Sequence, residues 1–289
     1  MTKFSLAAAS AFVLFAGAAS AADLYTKAPP PPPPPVLSWT GFYVGVNGGV
    51  AAMNGPSMSY VDGAINAYVP VTVDPGMSGA KAIGGVHAGF NYQLSGPIVV
   101  GMEADWDWTN LKNSAAPGLL CSGPPFRVQC GGVSVLTDNA FLQTAVNWLA
   151  SVRGRFGYSF NNQWLVYGTG GIAFADVNYT GNLNCTGVIP TFCRGGGQFM
   201  RSSASDTRVG AVFGAGVEFK PARNWVLGAE YLYYHFEGDG SSTASWNFSA
   251  NGAPAPFFEC ATGQACGQFT YRGFDVHSGR LRLSYQFQP

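Results

Sequence analysis

Charge is what this sequence has least of. Asp, Glu, Lys and Arg make up 10% of its 289 residues, where a soluble domain carries ~25%, so an ordinary solvated surface is a poor description of it. The charges present cancel to a formal net of zero, which removes the field that draws proteins to nucleic acid. Beyond the N-terminus no run of about 18 apolar residues occurs, which excludes a membrane-spanning helix. Histidine is scarce: His87, His235 and His277 are the complete set. No CxxC spacing exists and no histidine lies near a cysteine in sequence, so a zinc site lacks its ligands. The GTGG run at 168–171 does not continue into G-x-G-x-x-G and nothing helical follows it, so it is no nucleotide loop. It is expected instead to make internal space beside Trp164 or to ease strand curvature. His277 and Ser278 are adjacent, and in a strand they point to opposite faces, which argues against a serine-hydrolase pairing. The chain implies no cofactor, no metal and no enzyme.

What is present begins with MTKFSLAAASAFVLFAGAASAA. Lys3, a short apolar stretch and small residues before Asp23 predict a cleaved secretory signal over residues 1–22, cut after Ala21 or Ala22. Residues 23–38 contain seven consecutive prolines, Pro29 to Pro35. Proline lacks a backbone donor and favours an extended rod, so this segment is expected to be a periplasmic spacer. Residues 39–289 remain for one all-β domain.

That domain shows eight stretches of period-two alternation. In IVVGMEADWDW, Ile98, Val100, Met102, Ala104, Trp106 and Trp108 share a face, and Glu103, Asp105 and Asp107 take the other. Phe42, Val44 and Val46 near the start, and Leu281, Leu283, Tyr285 and Phe287 at the end, continue the pattern. Only WLVYGTGGIAFADV, from Trp164 onward, alternates too poorly for its faces to be assigned. Connections alternate in length: QLSGP, SFNNQ and KPARN are tight turns, and the intervening segments are long. A short–long alternation of ten-residue strands predicts an eight-stranded antiparallel transmembrane β-barrel, with short periplasmic turns and four long extracellular loops. In a soluble sandwich the charged face would meet water. In a barrel the sense inverts: the aliphatic face meets lipid, and the charged face lines the lumen. The expected lumen network is Glu103, Asp105, Asp107, Arg153, Arg155, Arg208, Glu218, Lys220, Glu230, Arg280 and Arg282.

WTGFYVGVNGG (39–49), YGTGGIAFADV (167–177), VGAVFGAGVEF (209–219) and WVLGAEYLYYHF (225–236) resemble the small eight-stranded outer-membrane proteins of alphaproteobacteria. That family includes outer-membrane immunogenic proteins and some described as hemin-binding. The resemblance implies an OmpA-like barrel in the bacterial outer membrane, and the inward arginines and carboxylates, which are expected to plug so narrow a lumen, point to a structural and surface role. A small-solute porin or a hemin-binding protein is the alternative it leaves open. The last strand is similar to the signal read by the barrel assembly machinery, through Tyr285 and Phe287. It departs in carrying Arg282 where glycine is usual, and Gln288-Pro289 after the final aromatic. Outer-membrane lipid and that machinery are the expected partners, with hemin or a surface partner as a further candidate and nucleic acid excluded.

Six cysteines fall in neighbouring pairs, Cys121 and Cys130, Cys185 and Cys193, Cys260 and Cys266. Local closure costs least entropy and export crosses an oxidising compartment, so one disulfide within each of three loops is expected. If Trp225 pairs with Phe287, His235 faces His277 and Glu230 faces Arg282. The two histidines would then share one face at the outer rim, where hemin ligation can be built.

Overall fold

The computed structural model describes residues 37–55, 58–62, 71–73, 76–115, 139–185, 198–238, 240–247 and 267–287. The signal peptide and the proline run lie outside these residues. So do the cysteine side chains, and with them the expected disulfides. Twelve strands occur among the described residues: β1 (Gly41–Asn54), β2 (Met58–Asp62), β3 (Val71–Val73), β4 (Lys81–Gln93), β5 (Ile98–Ala115), β6 (Asn139–Phe160), β7 (Trp164–Cys185), β8 (Gln198–Phe219), β9 (Trp225–Phe236), β10 (Gly240–Asn247), β11 (Gly267–Tyr271) and β12 (Phe274–Phe287).

Eight of them close a ring. The antiparallel order runs β8-β7-β6-β5-β4-β1-β12-β9, and β9 pairs back onto β8 from Ala211↔His235 to Phe219↔Leu227. Closure removes every free edge from this part of the wall, which is what allows a sheet to stand in lipid. The other four strands extend the wall at the loop end in the order β3-β2-β11-β10, with β10 joining β8 at Phe199–Arg201. Much of what reads as long loop in the sequence is therefore strand. The β7–β8 hairpin stays paired as far as Cys185↔Gln198.

The outer face is apolar and exposed, as at Leu281 (71%) and Met102 (64%). Aromatic side chains form belts at both ends of this band. At the turn end Phe42 packs on Phe90, Tyr158 on Phe160, Trp164 on Phe219, and Trp225 on Tyr285. Towards the loop end Trp106 stacks on Trp148 at 4.3 Å. Amphipathic rings collect at the two boundaries of a lipid layer for this reason.

Three local expectations change. The β9–β12 register places Trp225 opposite Tyr285, so His235 faces Asp275 and Glu230 faces Arg280. The reason lies at the turn end. Asn224 O accepts from the Gln286 backbone N–H, and Asn224 Nδ2 donates to Gln286 O, leaving Phe287 to pair with Phe42 of β1. The faces of β7, unassignable from its pattern, are now fixed: Leu165, Tyr167, Ala173 and Ala175 are buried inside, and Trp164, Val166 and Ile172 are exposed outside. The pattern is weak because the lumen is apolar at both ends, so inward positions there resemble outward ones. Within GTGG, Gly168 and Gly170 lie on the outer face beside the outward Trp164, not in the lumen. Only Gly171 faces inward, with the Val152 carbonyl pressed against the side where a Cβ would stand.

Candidate functional site: the barrel interior

The interior is filled in three layers. At the turn end Trp39, Val99, Leu165, Tyr167 and Val226 form an apolar plug. Trp39 is 0% exposed and is held by its own backbone: its N–H donates to Gln93 Oε1 (3.0 Å), and its carbonyl accepts from Gln286 Nε2 (2.7 Å). The Lys220 ammonium lies 4.3 Å from the Trp39 ring and donates to Ser38 O (2.5 Å) and Gln286 Oε1 (2.6 Å). Lys220 stands in the turn after β8, and burial pulls its pKa from 10.5 down to about 8 although Glu218 pulls the other way. Dehydration outweighs the Glu218 charge there.

Above the plug lies a belt of buried charge. Arg153 Nη2 donates to Glu103 Oε1 (2.5 Å) and Asp105 Oδ2 (2.7 Å), and its Nη1 to Glu230 Oε1 (3.0 Å). Arg155 reaches Glu218 (2.6 Å) and Glu103 (3.3 Å) and lies 3.8 Å from the Tyr167 ring centre. Arg280 donates to Asp107 and to Glu230 (2.6 Å). Arg282 donates to Glu103 and to Glu230 (3.0 Å). Two tyrosines stitch the belt. Tyr43 OH accepts from Arg155 and donates to Glu103, both at 2.7 Å. Tyr167 OH accepts from Arg282 (2.8 Å) and donates to Glu230 (2.9 Å). Charges this dry are tolerated because each is paired and hydrogen-bonded.

The third layer, towards the loop end, is again apolar and includes Met53, Ile83, Leu111, Leu149, Val212, Leu232, Tyr234 and Phe236. A void of about 10 Å³ lies between plug and belt, lined by Trp39, Tyr43, Asn91, Glu218, Val226, Ser284 and Gln286. It is the size of a single water and no conduit.

Nine of the eleven expected lumen charges meet in the belt; Arg208 and Lys220 stand apart from it. Arg208 lies nearer the loop end, with Nε donating to Tyr179 OH (3.2 Å) and 3.3 Å from Asp206. Tyr43, Tyr167, Trp39 and the His87–Ser284 contact (2.7 Å) were not singled out from the sequence. For Tyr43, His87 and Ser284 the signal was parity alone, since each alternates with lipid-facing neighbours; Tyr167 sits in the poorly alternating β7, and Trp39 precedes the first strand. His235 and His277, the pair considered for hemin, share the outer wall on either side of Tyr233. His235 Nδ1 meets Asp275 (2.6 Å) and its Nε2 meets Glu237 (3.3 Å), while His277 Nδ1 meets Tyr231 OH (2.6 Å). Among the described residues no cluster of three or more His, Cys, Asp or Glu side chains could hold a metal.

Comparison with known proteins agrees with this architecture. The family model described as outer membrane protein beta-barrel domain matches residues 7–252. The 31 kDa outer-membrane immunogenic protein of Brucella melitensis is 32% identical over 234 residues, covering 79% of this chain and 85% of that protein. A 22 kDa outer membrane protein of Rhizobium leguminosarum bv. viciae is 28% identical, over 71% of this chain and 65% of its own length. Among solved structures, OprG of Pseudomonas aeruginosa is similar at 13% identity and a TM-score of 0.40, covering 86% of this chain and 97% of that one. The family match spans most of the sequence and the Brucella relative aligns over most of both chains, so this chain belongs to the outer membrane protein β-barrel domain family and resides in the bacterial outer membrane.

Proposed function

We propose that the protein is a closed, non-conducting barrel whose work is structural: it contributes to envelope integrity and holds its four hairpins at the cell surface. One observation carries this reading. The lumen is blocked at three levels, by the Trp39 plug, the charge belt and the apolar layer above it. An eight-stranded barrel is narrow enough for side chains to fill. Here none of the layers leaves the belt a wet side, so an ion would have to displace a paired charge and then cross an aliphatic layer. The relatives named immunogenic are consistent with hairpins that stand above the membrane.

The measurement is single-channel conductance of the folded mature protein in a planar bilayer, with folding confirmed by a heat-modifiability gel. Silent bilayers containing folded protein are expected. Reproducible discrete steps would overturn the structural reading and put a small-solute pore in its place.

A further inference from the structure

The loop end of the wall is built in two unlike halves. β5, β6, β7 and β8 run 18 to 22 residues without interruption. The other four barrel strands stop at 12 to 14 residues and are continued by separate short strands. Each of the four breaks carries a glycine: Gly55 between β1 and β2, Gly76 between β3 and β4, Gly238 between β9 and β10, Gly273 between β11 and β12. Gly76 and Gly238 have φ of 67° and 100°, a region that favours glycine. The Gly55 N–H donates to Gly76 O at 3.0 Å, so two of the four face each other. The sequence adds a proline beside each of these two, Gly55-Pro56 and Pro75-Gly76, and proline cannot donate to a ladder.

Pairing resumes beyond the breaks, and two ladders change register in doing so. Ala51↔Lys81 gives way to the Asn54↔Met77 bridge, and Phe236↔Phe274 gives way to Gly240↔Tyr271. The glycines thus form a crease across four adjacent strands, with the small sheet β3-β2-β11-β10 beyond it. Among the described residues its ladder to the tall half is confined to Ser245–Asn247 on Phe199–Arg201. The β9 ladder on β8 stops at Ala211, and the β4 ladder on β5 stops at Thr109. Among the described residues the small sheet is therefore creased at its base and laddered to the tall half at one corner. The crease itself is held to the tall half where Asn113 Nδ2 of β5 donates to Gly76 O (2.7 Å), and the small sheet is held by an aromatic contact. Tyr271, the last residue of β11, stacks on Tyr179 of β7 with ring centres 4.1 Å apart, and Arg208 fixes the Tyr179 hydroxyl.

We propose that β3-β2-β11-β10 is a flap of the wall that swings about this glycine crease and is latched to the tall half by Tyr271 on Tyr179. Tyr271 is itself part of the apolar upper layer, with Leu142, Val146, Tyr234 and Phe236, so its release uncovers that layer. A chamber of that lining, opened briefly, takes apolar or aromatic small molecules rather than ions. Breaks shared by four strands concentrate the bending where glycine absorbs the change in φ and ψ. A continuous wall would spread it.

Amide hydrogen exchange of the full mature protein in lipid nanodiscs tests the flap. The comparison is between the flap ladders (β2–β3, β2–β11, β10–β11) and the loop-end part of the β6–β7 ladder. Flap amides are expected to exchange at least about tenfold faster. Tyr271→Ala, which removes the latch, should accelerate the flap by a further ~5-fold and leave β6–β7 unchanged. The double substitution Gly55→Val with Pro56→Thr restores a donor and a strand-forming residue, and it should slow the flap towards the β6–β7 rate. Equal rates in the two regions of the unmodified protein would overturn the proposal. So would variants that shift both regions together, since the loop end would then open as one piece. A heat-modifiability gel on each variant confirms that the barrel below is folded.

Discussion

At Glu230 three guanidinium groups and a phenol converge on one carboxylate: Arg153, Arg280, Arg282 and Tyr167 all donate to it. A buried ion pair replaced whole by apolar residues can leave stability unchanged, but removing one partner strands the rest. Glu230→Gln keeps the shape and an acceptor and removes the charge. It should lower stability by ~3–5 kcal/mol, read as an earlier urea midpoint for unfolding from phospholipid vesicles. A shift worth less than ~1 kcal/mol, the range of a surface pair, would mean that the belt needs hydrogen bonds at this position and not charge. The inward position of Glu230 was legible in the sequence from its apolar neighbours on either side. Its partners were not, because a side chain reaching across a lumen leaves no periodic mark. Tyr167 was hidden further, since tyrosine in such a barrel is expected on the outer belts.

Among the strands, β7 shows how little composition says about a glycine's task. Gly168 and Gly171 belong to one GTGG run, yet a Cβ on Gly168 would meet nothing nearer than 4.0 Å, while one on Gly171 would clash with the Val152 carbonyl. Gly171→Ala should therefore force β6 and β7 apart at the level of Arg153 and destabilise by ~1–3 kcal/mol. Gly168→Ala, facing lipid, should stay within ~0.5 kcal/mol of the unmodified protein. Temperature-dependent gel shift of the two variants side by side checks the contrast, and equal shifts would show that the wall relaxes freely at Gly171. The number of strands in the ring, the lipid-facing side of most of them and the tight turns were all readable, because they rest on alternation and turn chemistry. The β9–β12 register was not. It depends on Asn224 meeting the Gln286 backbone, and a pattern of period two looks the same when it slips by two.

Taken as a whole, the molecule distributes its belt charges unevenly along the chain. β5 brings Glu103, Asp105 and Asp107, β6 brings Arg153 and Arg155, β8 and β9 bring Glu218 and Glu230, and only β12 brings Arg280 and Arg282. The eight-stranded form was legible from alternation and connection lengths. That the lumen is sealed by apolar layers on both sides of the belt was not, since inward aliphatic residues imitate the lipid face. The seal has a consequence for biogenesis. Until β12 arrives, five carboxylates face two arginines in a space that water must leave, and an isolated charge in such a medium is costly. A chain lacking residues 274–287 should stay outside the bilayer and be digested by added protease, even when its remaining strands meet vesicles under conditions in which the full protein folds. Protection of that truncated chain would show that the belt tolerates imbalance. The last strand is thus a checkpoint on length: a chain that ends before it lacks both the strand that closes the ring between β1 and β9 and the cations that balance the lumen.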